Sequence, residues 1–377
     1  MEALEVLKKL VTYPTITPKE CGIYEYIESL LKDFTPLKFT KNDVCNLFLY
    51  KEFKGKSQDK IHLCFAGHID VVPSGEGWES DPFTPTQKDG YLYGRGTQDM
   101  KGGISAFLCA LREFCDKEQN FNGILSVLLT SDEEGEAIFG TKAMLEVLRE
   151  KNLLPDFAIV AEPTSVKRFG DMIKIGRRGS INGILKIYGK QGHVAYPSKC
   201  INPIELISPI LPKIAGYDMD SGSDEFEPSK IVVTDIRGGM QVVNVTPNDL
   251  TLMFNIRNSP QTSLEILKAH FKEILGEIPH TLELKQSSKP FLTNKESKVV
   301  MKVSQSIQKV LGIEPILSTS GGTSDAKYFA EFGIEVVECG VCNDTIHAIN
   351  ERVKITEIAE LKRVFSEVLK SFVLLKT

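Results

Sequence analysis

Residues 123–136 read GILSVLLTSDEEGE, and the interpretation of this stretch decides the fold. Gly123–Thr130 is a nearly continuous apolar run of strand length, yet it leads directly into Asp132, Glu133, Glu134 and Glu136. A strand that is apolar on both faces belongs in a parallel sheet covered by helices. Acids at its carboxyl end are either a solvated turn or the rim of a site, because open parallel sheets collect their ligands beyond the carboxyl ends of the strands.

The neighbouring segments repeat the pattern. KIHLCFAGHID (60–70), DFAIVAEP (156–163) and GIEVVECG (333–340) are further apolar strands. GGISAFLCALREF (102–114), GTKAMLEVLRE (140–150) and ITEIAELKRVFSEVLKSF (355–372) have helical spacing. Strands alternating with amphipathic helices predict an α/β domain with a mixed, mostly parallel sheet flanked by helices, spanning 1–178 and 290–377. Between them, over residues 179–289, the periodicity is different. It reads strand 179–189, helix 201–214, strands 230–239 and 249–258, helix 262–275 and strand 281–287. That β-α-β-β-α-β order predicts an inserted ferredoxin-like α+β domain.

Composition narrows the function. Of 377 residues, 42% are hydrophobic and 25% charged, with a net charge of −5, so a sizeable core is expected. The lack of a basic stripe or polybasic tail argues against nucleic acid and membrane surfaces as partners. The start, MEALEVLKKLVTYPTITPKE, lacks the uninterrupted apolar core of a signal peptide, and a cytoplasmic location is expected. Eight scattered cysteines read as reduced thiols. Cys339 and Cys342 have C-x-x-C spacing, but no second pair accompanies them, which argues against a structural zinc site. Asn244 lies in the sequon NVT, but Pro247 follows and there is no secretion signal, so it is not expected to be glycosylated.

The ends of the apolar strands carry the chemistry. His68 and Asp70 follow the first, Glu133 and Glu134 the second, Glu162 the third, and His347 comes soon after the last. The turn GYLYGRGTQDMKGG (90–103) places Asp99 just ahead of a helix start. Any one of these residues alone would be unremarkable; their convergence on one rim points to a site. Imidazole and carboxylate donors suit zinc. Three ligand carboxylates and one hydroxide balance two divalent cations, which explains acids that would otherwise only repel. Adjacent residues leaving a strand point to opposite sides, so Glu133 and Glu134 cannot both bind one ion in the same way. One can bind metal while the other faces a water as general base. The spacing alone leaves open which does which.

GHIDVVP, GRGTQDMKGG, TSDEEGEAIFGT, AEPT, GRRGS, KQGHVAYP, NVTP, GGTSD and NDTIH, taken in order, resemble the aminoacylase and carboxypeptidase family of co-catalytic zinc hydrolases along essentially the whole chain. The resemblance implies two zinc ions per subunit, with cobalt as a possible substitute. His68 and Glu162 would hold one, Glu134 and His347 the other, and Asp99 would bridge them. Glu133 would be the base, and Asp70 would orient His68. The insert would form a homodimer and carry His193 to the partner's site to stabilise an oxyanion, with Asn244 alongside. Arg177, Ser180, Arg257, Thr323 and Asn343 would bind a small substrate bearing several carboxylates. The implied activity is amide hydrolysis, with acetyl-amide or dipeptide substrates as the alternative and an inactive binding module on the same scaffold as a more distant one. A cis peptide between Asp99 and Met100 is also implied. The chain departs from the family pattern at Ser320, where a third glycine is common, and in having Cys339 and Cys342 just before His347.

Overall fold

The computed structural model describes residues 2–55, 60–117 and 121–373. They fall into two compact units. The larger comprises the chain up to Ile175, Leu292–Ser318 and the chain from Ser324 onward; the smaller comprises Gly176–Phe291 with Thr319–Thr323.

The larger unit is built on an eight-stranded mixed sheet. At its centre four strands run parallel: Asn122–Thr130, Ile61–His68, Phe157–Val160 and Glu335–Glu338. Ile61–His68 is buried at every position, as its unbroken apolar pattern requires. Its register pairs His68 with Thr130 and Ala66 with Val160, so the carboxyl ends of three strands lie side by side. Phe65 meets Phe107 of helix Lys101–Lys117 at 5.5 Å and Phe365 of helix Ile355–Val373 at 5.2 Å, which packs both helices over the strand. An antiparallel pair, Thr35–Lys41 and Val44–Lys54, extends one edge, and short strands Met172–Lys174 and Ile316–Ser318 extend the other. Thr35–Lys41 is mostly exposed, so apolar patterning gives little sign of it.

The smaller unit has four antiparallel strands in the order Ile231–Gly238, Asp249–Ile256, Ser180–Tyr188, His280–Ser288. Ile181, Leu185 and Ile187 point into its core, where Phe254 stacks on Phe271 of helix Leu264–Leu275 at 5.1 Å. The helix expected over 201–214 is shorter: it runs only from Pro203 to Ile207, capped by Asn202, and a 3-10 turn follows at Leu211–Lys213. Pro209 and Pro212 are the physical reason, since each removes an amide donor and crowds the preceding turn. Among the described residues, no helix is long and apolar enough to cross a membrane.

Candidate metal centre

The parallel register brings together four of the residues singled out at strand ends, and the turn before helix Lys101–Lys117 adds Asp99. His68 Nε2 lies 3.1 Å from Asp99 Oδ1 and 3.8 Å from Glu162 Oε1. His347 Nε2 lies 2.8 Å from Glu134 Oε1 and 3.3 Å from Asp99 Oδ2. The two oxygens of Asp99 thus face different imidazoles, and each imidazole has a second carboxylate beside it. Ligand atoms of His68, Asp99 and Glu134 also lie within 4.8 Å of one another, a set that takes one member from each half together with the shared carboxylate.

These residues fit a metal centre. Donors about 2.0–2.2 Å from a four-coordinate zinc stand roughly 3.3–3.6 Å apart, close to the spacings within each half. The ring tautomer fits as well. His68 Nδ1 is 2.9 Å from the Asp70 carbonyl oxygen, which can only accept, so Nδ1 keeps its hydrogen and Nε2, facing Asp99 and Glu162, is the ring nitrogen that would bind a cation once it gives up its own proton.

Close backbone packing sets these positions. A Cβ on Gly103 would lie 2.3 Å from the Ala161 carbonyl oxygen, and one on Gly340 would lie 2.2 Å from that of Glu162. Only glycine lets the helix start and the end of Glu335–Glu338 close on the segment bearing Glu162. The Asp99–Met100 peptide is cis.

Asp70 faces His68 with both its carbonyl and its carboxylate. The ring is held by the Asp70 carbonyl, with Oδ1 farther away at 3.6 Å. The fully buried carboxylate also accepts from Glu134 N at 3.1 Å, Glu133 N at 3.4 Å and Thr17 Oγ1 at 2.7 Å. Its geometric effect is to fix the backbone turn from which Glu133 and Glu134 diverge.

The electrostatics reflect crowding of acids. Burial pushes Glu133 well above the usual carboxylate range, with Asp325, Glu134 and Asp99 adding to it and His68 opposing. Burial raises Glu162 likewise, with Asp99, Glu133 and Glu338 adding. Burial would raise Asp99 too, yet hydrogen bonds from His347 and His68 bring it well below its ordinary range. Hydrogen bonds to Asp99 and Glu134 raise His347 to about 10, and Asp70 and Asp99 raise His68 against the effect of its burial. The imidazoles hold protons where cations would otherwise balance the acids.

Most other expected residues lie in the smaller unit. His193 and Asn244 are exposed on adjoining chain segments: His193 pairs with Val245, and Val194 N donates to Asn244 O at 3.2 Å. Arg177 is buried, with Nη1 donating to Ser320 O at 3.1 Å, next to Gly321 in the Thr319–Thr323 segment. Ser180 Oγ accepts from Asn255 Nδ2 at 3.0 Å, and Arg257 is exposed near Arg178. Thr323 is half-buried in this unit, whereas Asn343 is half-buried in the larger one, its amide donating to Ser165 O. The cysteines near His347 are buried free thiols, Cys339 pushed up to about 12 by burial, and neither joins the cluster.

Some residues carried no sequence signal. Thr17 hydrogen-bonds Asp70, and Asp325, pushed up to about 6 by burial, accepts from Thr141 Oγ1 at 2.6 Å while adding its charge beside Glu133. Asp325 belongs to GGTSD, and only that motif membership could have drawn attention to it.

Residues 64–371 match the family model described as peptidase family M20/M25/M40. A succinyl-diaminopimelate desuccinylase of Wolinella succinogenes is 59% identical over 366 residues, covering 97% of this chain and 98% of the relative. One from Nitratiruptor is 54% identical over 372 residues, covering 99% and 100%. Among solved structures, aminopeptidase PepT from Bacillus cereus superposes with a TM-score of 0.82 at 20% identity, covering 99% and 98% of the chains. The Bacillus subtilis YXEP protein, described as a dinuclear metal binding peptidase, superposes with a TM-score of 0.68 at 12% identity, covering 97% and 96%. The chain belongs to peptidase family M20/M25/M40, a family of metal-dependent hydrolases.

Proposed function

We propose that this chain hydrolyses N-succinyl-LL-2,6-diaminoheptanedioate to succinate and LL-2,6-diaminoheptanedioate, using a pair of zinc ions held by His68, Glu162, Asp99, Glu134 and His347. The observation that carries the two-ion reading is the Asp99 carboxylate, with one oxygen toward the His68–Glu162 half and the other toward the His347–Glu134 half. The substrate assignment is supported by relatives of that name at 54–59% identity over nearly the full length. The pathway is that of lysine and diaminopimelate biosynthesis. Cobalt is a workable substitute for zinc, and the cytoplasm is the expected compartment.

When bound, the ions supply Lewis acidity, polarising the amide carbonyl and lowering the pKa of water. Glu133 accepts a proton from the attacking water and returns it to the amine nitrogen. One C–O bond forms and the C–N bond breaks, with no net proton held by the enzyme. Asp70 keeps Glu133 and Glu134 on their divergent paths through the two backbone amides. Arg177, Ser180, Arg257, Thr323 and Asn343 recognise the substrate's carboxylates, the guanidinium forks matching carboxylate geometry. His193, with Asn244 beside it, donates to the oxyanion and acts on the partner subunit of a homodimer. The exposed apolar side chains Ile184, Val232, Ile236 and Met253 on the smaller unit's sheet support such pairing.

Product analysis tests this reading. The purified enzyme should release succinate from the succinylated amide, stop when treated with a chelator, and recover on adding zinc. Faster turnover of the acetylated amide or of a dipeptide would overturn the substrate assignment; chelator-resistant turnover would overturn the metal.

A further inference from the structure

His347 is poorly supported by its own loop. Its side chain is 48% exposed, and its backbone is left-handed, with φ +58°. Asn350, three residues on, is also left-handed, with φ +59°. Yet Nε2 of His347 stands 2.8 Å from Glu134 and 3.3 Å from Asp99, so something beyond local burial must hold this loop to the turn carrying Asp99.

Glu351 does so. Its side chain is buried, and the turn 94–99 wraps around it. Oε2 accepts from Arg95 Nη1 at 2.8 Å and Gly96 N at 3.0 Å, while Oε1 accepts from Gln98 N at 2.9 Å and Asp99 N at 3.2 Å. Its own carbonyl accepts from Gly94 N at 3.0 Å. Gln98 makes the return connection: Nε2 donates to Asp344 Oδ1 at 2.6 Å, and Oε1 accepts from both Thr345 N and Thr345 Oγ1 at 2.8 Å. The second guanidinium nitrogen of Arg95 reaches the carbonyls of Pro73 and Ser74. Three amides of one turn and a guanidinium satisfy this buried carboxylate, and the same bonds tie that turn to the residue that ends the His347 loop. A neutral side chain of the same shape would leave two of these donors facing an amino group.

We propose that Glu351, with Gln98 and Arg95, is a positioning device that locks the Asp99 turn to the His347 loop and so sets the affinity of the metal position served by His347 and Glu134. The inference rests on the two-ion reading above. The His68–Glu162 half shares Asp99 with this lock but takes its other two side chains from strand ends, so it depends on the lock less than the His347 half does.

The test is a Co²⁺ titration of the chelator-stripped enzyme, followed by visible absorption and calorimetry. The parent should take up two ions. Glu351→Gln should keep the ion that the His68 half binds and lose affinity for the other by about 10–100-fold, the range typical of residues that orient metal ligands. Its one-ion spectrum should match that of His347→Ala. Parent-like affinity for both ions in a folded Glu351→Gln would overturn the proposal, as would equal weakening of both. A parent binding fewer than two ions would instead overturn the two-ion reading, and the proposal with it. If circular dichroism shows that Glu351→Gln does not fold, Gln98→Ala replaces it. That change cuts the bonds to Asp344 and Thr345 while leaving the buried ion pair, and unchanged affinity at the His347 position would equally overturn the lock.

Discussion

Replacing Glu133 with Gln separates proton transfer from metal binding within a single residue. The side chain keeps its size but loses its basic site. The backbone anchors of the turn, Glu133 N and Glu134 N to the two Asp70 oxygens, do not involve the altered group, so Glu134 should stay in place. Removing a carboxyl crowded by Asp325, Glu134 and Asp99 relieves repulsion, so the stripped variant should be at least as stable as the stripped parent. A positioned general base contributes roughly 10²–10⁴-fold, or about 3–5 kcal/mol of barrier. Turnover of the succinylated amide should fall within or beyond that range while two zinc ions remain. Elemental analysis of the purified variant gives the metal content, and succinate release under saturating substrate gives the rate. A loss of one ion, or a fall in rate of less than about tenfold, would refute the assignment of Glu133 as base rather than ligand.

Three further outcomes test the site and the proposed function. His347 in the stripped enzyme is raised from 6.5 to about 10, so the stability it lends is fully present below pH 6.5 and is lost as pH rises toward 10. Thermal unfolding of chelated enzyme should therefore weaken over that window, and zinc binding within it should release protons measurable by calorimetry in buffers of differing ionisation enthalpy; a flat profile would contradict the proton-holding role. Gly340→Ala puts a methyl 2.2 Å from the Glu162 carbonyl oxygen and should weaken metal binding in the His68–Glu162 half, whereas unchanged affinity would show that this segment can yield freely. On the proposal that His193 acts across a homodimer, mixing inactive Glu133→Gln with inactive His193→Ala should restore activity as subunits exchange, because one site of each mixed dimer would then have both groups intact; demonstrated exchange without recovery would place His193 in its own chain's chemistry.

What the sequence determined by itself was the parallel sheet and the residues at its edge. Apolar runs such as Ile61–His68 and Gly123–Thr130 can be satisfied only by burial on both faces, and a parallel register then aligns their carboxyl ends, so His68, Glu134 and Glu162 had to converge wherever the helices lay. The order of elements in 179–289 was legible for the same reason, because period-2 and period-3.6 patterns are local properties. The tertiary structure alone decided how individual atoms are used. Asp99 divides its oxygens between two imidazoles, and Asp70 gives its carboxylate to the amides of Glu133 and Glu134 while its carbonyl holds His68. Glu351, an ordinary acid in the run INERV, closes on a turn some 250 residues earlier in the chain. Each of these depends on backbone amides, which every residue carries alike, meeting across long sequence separations. Such pairings leave no mark in side-chain pattern, because the chain must fold before the donors and acceptors are neighbours.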